Sequence, residues 1–171
     1  RHPHVFGDAT HQTPDEVKQS WEAAKAAERE KAGAGGRVSV VDDIALSLPA
    51  LMRSEKIQKR VARIGFDWPA VEHVYEKMHE ELLEVQEAAQ LDDKAARADA
   101  LEDEVGDVLF VAVNLARHYK VDAEKSLRRA NNKFEKRFRQ VEKLAADAQQ
   151  DMNEMSLAEL DALWDRVKQL D

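Results

Sequence analysis

Apolar residues in this chain return every three or four positions and do not alternate. From Val71 to about Gln90 the set Val71, Val74, Met78, Leu82, Val85 and Ala89 follows the turn of an α-helix. No segment of useful length has the two-residue period of a half-buried strand. The chain is therefore expected to be all-α. With 171 residues, it can form one domain plus an appendage, or one arm of an intertwined oligomer.

Start and stop signals divide the chain. Arg1 to His11 shows no period, and His2, His4 and His11 read as linker residues. Thr13-Pro14-Asp15-Glu16 opens a helix to about Lys31, with a capping hydroxyl, a proline in the first turn and acids at the positive end of the dipole. Gly33-Ala34-Gly35-Gly36 breaks it as a flexible linker, which places a boundary between 1–36 and 37–171. Ser47-Leu48-Pro49 starts the next helix and Gly65 ends it. Asp67 is expected to cap the Val71 helix, with Pro69 in its first turn. An acidic loop at Asp92-Asp93 leads into a helix over about Ala95 to Tyr119, whose segment Val108 to Val113 is apolar nearly all round and should be deeply buried. Asp122 caps a helix over about Ala123 to Ala148 with a basic outer face. Ser156-Leu157-Ala158-Glu159 is a capping box for a last helix.

Composition excludes several classes. Cysteine is absent, so disulfides and thiolate metal sites are ruled out. No apolar run approaches the ~20 residues that span a bilayer, and a cytoplasmic protein is expected. A net charge of −8 opposes general binding to nucleic acid. It is compatible with a phosphorylated substrate if carboxylates hold Mg²⁺ and the ion faces the phosphates.

Two acidic clusters have the spacing for that role. In Glu80-Glu81-x-x-Glu84 and in Glu104-x-x-Asp107 the acids lie one helical turn apart on shared faces. Two carboxylates ~4 Å apart repel by about 1 kcal/mol in water and about 4 kcal/mol at an effective dielectric of 20. Near a core edge such a group calls for protonation or a cation. One cluster alone reads as a solvated face; two on successive helices, beside a core-forming run, weigh ligand site and solvated face evenly. On the basic helix Lys133 and Arg137 share a face, near Asn131, Lys136 and Arg139, and either grip a polyphosphate or pair with acidic helices. Trp164 and Lys168, four apart, either cover a base and touch a phosphate or dock a terminal helix.

From about Ser47 onward the chain resembles the C-terminal, catalytic half of MazG proteins. The residues that carry the likeness are Leu48-Pro49-Ala50-Leu51, Lys56-Ile57-Gln58-Lys59-Arg60, Gly65-Phe66-Asp67-Trp68, the two acidic clusters, Val113-Asn114-Leu115-Ala116-Arg117 and Asn131-x-Lys133-Phe134-x-x-Arg137-Phe138. They cover some three-quarters of the chain. Arg1-His2-Pro3-His4-Val5-Phe6 resembles the end of the family's first domain, so the chain, which begins without Met, is read as a piece of a longer protein. The resemblance implies an all-α four-helix bundle completed by homodimerisation, and a nucleoside triphosphate substrate. By position it implies Mg²⁺, with Mn²⁺ as a substitute, on Glu81, Glu84, Glu104 and Asp107. Nucleotide contacts are implied at Lys77, Glu80, Asp103, Asp107, Lys133, Arg137, Trp164 and Lys168. Asp103 stands where the family often has Glu, and Ala100 where some members have Lys.

The expected reaction is metal-assisted hydrolysis of an NTP or dNTP to the monophosphate and pyrophosphate, with Glu80 or Glu81 as general base. Lys133 and Arg137 would stabilise the leaving pyrophosphate. A di-iron bundle is disfavoured, because it uses Glu-x-x-His on two helices and only Glu76-x-x-His79 is present. A non-catalytic helical interaction module is the other alternative.

Overall fold

The computed structural model describes residues 39–169. The expected helix from Thr13 to Lys31, the glycine linker, the boundary after residue 36 and the three early histidines lie outside them. Among the described residues the regular elements are α1 (Ala50–Ala62), α2 (Val71–Ala88), α3 (Lys94–His118), α4 (Ala123–Asp147) and α5 (Leu157–Gln169), with no strand. The fold is all-α, as the periodicity predicts.

Local chemistry sets most of the helix ends. The Asp93 carboxylate accepts the Ala96 N–H at 2.7 Å, and that of Asp122 accepts the Lys125 N–H at 2.8 Å, each satisfying an orphan donor of a first turn. At α5 the capping box forms in both directions: Ser156 N–H donates to Glu159 at 2.8 Å, and Glu159 N–H donates to the Ser156 hydroxyl at 3.3 Å. After α1, Gly65 takes φ +85° and lets the Phe66 N–H reach the Val61 carbonyl at 3.1 Å. Lys120 and Gln149 make the same left-handed turn after α3 and α4 without being glycine, at φ 57° and 54°.

Asp67 departs from expectation. Helix α2 begins only at Val71, after Ala70, and Pro69 precedes it. The Asp67 carboxylate instead accepts the Trp68 N–H at 3.0 Å and holds the Arg117 guanidinium through both oxygens, one contact at 2.8 Å. A partner 50 residues away has displaced the local cap.

Helices α2 and α3, joined by residues 89–93, pack together as a hairpin. Helices α4 and α5 form a second pair around Val141, Ala145, Leu163 and Val167, sealed by Leu144, Met152, Met155 and Trp164. Helix α1 lies against α3 and α4. Val74, Val113, Val141 and Val167 are fully buried, each stabilising the fold by about 1.5–3 kcal/mol.

On α2 the expected Val71, Val74, Met78 and Val85 are all at least half-buried, but the seam runs through Glu81 and Ala88 in place of Leu82 and Ala89. The buried residues of α2 are Val74, Glu81 and Ala88, seven apart, while Leu82 is exposed. On α3 the expected deep burial holds on one side only. Val111 and Val113 are buried, whereas Leu109 is 52% and Phe110 37% exposed. The apolar circumference of α3 is thus wider than the described residues cover.

Candidate active site

Glu81 occupies the middle of the α2 seam between two apolar positions, so it meets α3 with only 4% of its surface exposed. From α3, Glu104 and Asp107 come up one turn apart. Carboxylate oxygens of Glu81, Glu104 and Asp107 lie within 4.8 Å of one another. Glu84, the fourth expected ligand, stands one turn from Glu81 and interacts with both Glu81 and Glu104, but is not part of that tight triad. Asp103, on α3 and exposed, is also outside it.

Lys77 organises the α2 side. Its ammonium bonds Glu80 at 2.7 Å and Glu81 at 2.8 Å, and these bonds, Glu80 first, hold its pKa above the usual 10.5. Glu80 stays largely exposed beside it. One cation thus orients a buried and an open carboxylate.

The acids still outnumber their partners. Glu84 is held above the usual carboxylate range, chiefly because Glu81 is placed to accept a hydrogen bond from its protonated form, then because burial disfavours its charge. The Oε2 atom of Glu81 is buried with no hydrogen-bond partner in the chain. An unsatisfied buried acceptor costs about 1–3 kcal/mol, more when charged. A hard cation with oxygen ligands would satisfy it.

The other expected contacts collect on the second helix pair. Trp164 packs against Phe134 with ring centroids 5.1 Å apart, and Phe134 stacks on Phe138 at 5.8 Å. The indole packs α5 against α4. Lys133 is exposed, Arg137 half-buried on the next turn, and Lys168 bonds Asp165 of its own helix at 2.7 Å.

Sequence reasoning missed a cavity of about 430 Å³ between α1, the loop after it and α3, lined in part by Gln58, Phe66, Trp68, Phe110 and Asn114. Gln58 is 2% exposed; its Nε2 donates to the Phe110 carbonyl at 2.8 Å while its Oε1 has no partner. The only advance signal was a glutamine flanked by Ile57 and Val61 on an amphipathic helix.

A helical protein that gathers carboxylates from two packed helices belongs to the class suited to a hard divalent ion between helices. Comparison with known proteins narrows the class. Residues 70–142, which contain both acidic clusters, match the MazG nucleotide pyrophosphohydrolase domain. The chain is 45% identical over 172 residues to the nucleoside triphosphate pyrophosphohydrolase of Escherichia coli (strain K12), covering 98% of this chain and 62% of that protein. It is 40% identical over 168 residues to the nucleoside triphosphate pyrophosphohydrolase/pyrophosphatase MazG of Thermotoga maritima, covering 98% of this chain and 60% of that protein. An uncharacterized protein of Bacillus subtilis (strain 168), YabN, is 37% identical over 169 residues, covering 99% of this chain and 33% of its own length. The chain thus carries a MazG domain over residues 70–142. It spans about three-fifths of the first two relatives. None of the described helices is long and apolar enough to cross a membrane.

Proposed function

We propose that this chain is a Mg²⁺-dependent nucleoside triphosphate pyrophosphohydrolase, converting an NTP or dNTP and water to the monophosphate and pyrophosphate. The observation that carries the reading is the unpartnered Glu81 Oε2 inside a triad of carboxylates from two helices. Glu81, Glu84, Glu104 and Asp107 would hold the ion, Mg²⁺ or its substitute Mn²⁺. When bound, the ion supplies countercharge to the triphosphate and acidifies water.

The chain's own groups do the rest. Lys77 fixes Glu80 and Glu81 in place, so that Glu80, open to solvent, accepts a proton from the attacking water; Glu81 is the alternative base. Lys133 and Arg137 neutralise charge on the departing pyrophosphate. Asp103, Trp164 and Lys168 contact the nucleotide. The exposed apolar stripe of α3 supports a homodimer in which a second copy covers it and completes the bundle. Residues 37–171 form the catalytic domain, and the protein works in the cytoplasm.

The test is product analysis by anion exchange after incubation with each NTP and dNTP, with Mg²⁺ and with EDTA, beside a Glu81→Ala/Asp107→Ala variant. Monophosphate and pyrophosphate, formed only with metal and lost in the variant, are expected. Diphosphate and phosphate would refute the reading, and intact nucleotides would leave a binding module.

A further inference from the structure

Residues 65–70 lead from the end of α1 into α2, and of these 65–68 form one wall of the cavity beside α1. The segment has a hinge where it leaves α1. Gly65 sits at φ +85°, a conformation that glycine adopts at little cost, and a side chain there would meet nothing within 4 Å. The Phe66 N–H on the Val61 carbonyl ties the backbone to α1. Phe66 itself is 77% exposed and Trp68 only half-buried, so apolar burial gives the wall little hold.

On the α3 side one residue does the holding. Among the described residues, Asp67 makes the segment's only hydrogen bonds to α3, both to the Arg117 guanidinium, one of them at 2.8 Å. His118 brings a second nitrogen 3.7 Å from the same carboxylate. Arg117 also donates to Asn114 Oδ1 at 3.4 Å, which steadies it on its own helix. Charge-assisted, bidentate bonds of this kind are strong and geometrically specific.

The closed wall is also opposed. Three polar atoms around it are buried without a hydrogen-bond partner in the chain: Gln58 Oε1, Arg117 Nε and His118 Nε2. Gln58 and Arg117 line the cavity, and His118 stands beside Asp67. Each such atom disfavours the arrangement that buries it, and an outward swing of the wall would let solvent reach it. One ion pair draws the wall shut and three orphaned atoms push against it, the kind of balance that leaves a minor open state populated.

We propose that residues 65–70 are a gate that swings on Gly65, with the Asp67–Arg117 pair as its latch, and that the gate sets the access of solvent and small molecules to the buried Gln58 amide. It needs neither metal nor nucleotide, so it stands or falls apart from the reaction at the acids.

The chain contains no cysteine, so Gln58→Cys places a single thiol at a position only 2% exposed, where it reacts when the wall opens. The full chain is labelled with an aromatic disulfide in EDTA and in rising urea, with and without Asp67→Asn or Asp67→Ala. Below the unfolding transition the rate should be nearly independent of urea, because a local opening exposes little surface. Either Asp67 variant should speed labelling about tenfold, the factor that corresponds to 1.4 kcal/mol. A rate that follows urea with the slope of global unfolding, or one unchanged by both variants, would overturn the gate. Since Gln58 also braces the Phe110 carbonyl, the chain with native Gln58 supplies a second measurement. In ¹⁵N relaxation dispersion the Trp68 indole and the Phe66 amide should share one exchange process, its open population about tenfold larger in Asp67→Asn. Flat profiles at both positions in both proteins would equally remove the gate.

Discussion

Two carboxylates in this chain are perturbed in opposite directions, and they give opposite signs of pH dependence. Asp67 is held below its usual 3.8, first by its hydrogen bonds with Arg117. Its contribution to stability is complete above the unfolded value and is lost as the pH falls through the folded one. Asp67→Asn should therefore lower Tm at neutral pH, and the gap to the parent should close under strong acid. Glu84 is held above its usual 4.5 by Glu81 and by burial. The folded state binds that proton more tightly, so metal-free protein should lose stability as the pH rises from 4.5 through the higher folded value. Thermal melts in EDTA and in Mg²⁺ across that range check the sign, and saturating Mg²⁺ should abolish the Glu84 effect. Glu81→Gln should leave the metal-free fold as stable as the parent or more so, since it removes one charge from a crowded acid cluster. It should forfeit the stabilisation by Mg²⁺, which in the parent is about 2.7 kcal/mol at a hundredfold excess over Kd.

At the scale of elements, caps are the features most open to calculation. Ser156→Ala removes one half of the α5 capping box and should cost about 1 kcal/mol. Lys120→Gly and Gln149→Gly should each stabilise by roughly 0.5 kcal/mol, the left-handed penalty of about 1–2 kcal/mol less the 0.5–1 kcal/mol of chain entropy that glycine loses. Chemical denaturation reads all three; destabilisation by either glycine would refute the argument. These cases also show what the sequence could disclose. The caps at Asp122 and Ser156 and the stop at Gly65 were legible because each is decided within a few residues. Asp67 was misread because its partner lies 50 residues on. The α2 stripe was legible at Val71, Val74, Met78 and Val85 but not at its centre, because hydrophobicity points to Leu82, whereas the buried position belongs to Glu81. In the site, the spacing of Glu81, Glu104 and Asp107 was visible, but their convergence depends on how α2 meets α3. The cavity at Gln58 was not visible, since a buried amide leaves no periodic trace.

For the molecule as a whole, the proposed homodimer has a direct test in the apolar side of α3. Val105 and Leu109, four apart and both exposed, share one face. A Val105→Glu/Leu109→Glu variant should sediment as a monomer where the parent sediments as a dimer, with α-helical content retained; an unchanged parent mass of one chain would remove the dimer from the account. A different consequence comes from the core enclosed by Val141, Ala145, Leu163 and Val167. Because α4 and α5 are neighbours in sequence and bury these residues between themselves, their contacts require little loop closure and should form early in folding. Once folded, such a hairpin can open as a unit without parting α2 from α3. Backbone amides in the two pairs should then exchange with solvent as two groups, each with its own opening energy, and Mg²⁺ should slow exchange in α2 and α3 while leaving α4 and α5 nearly as before.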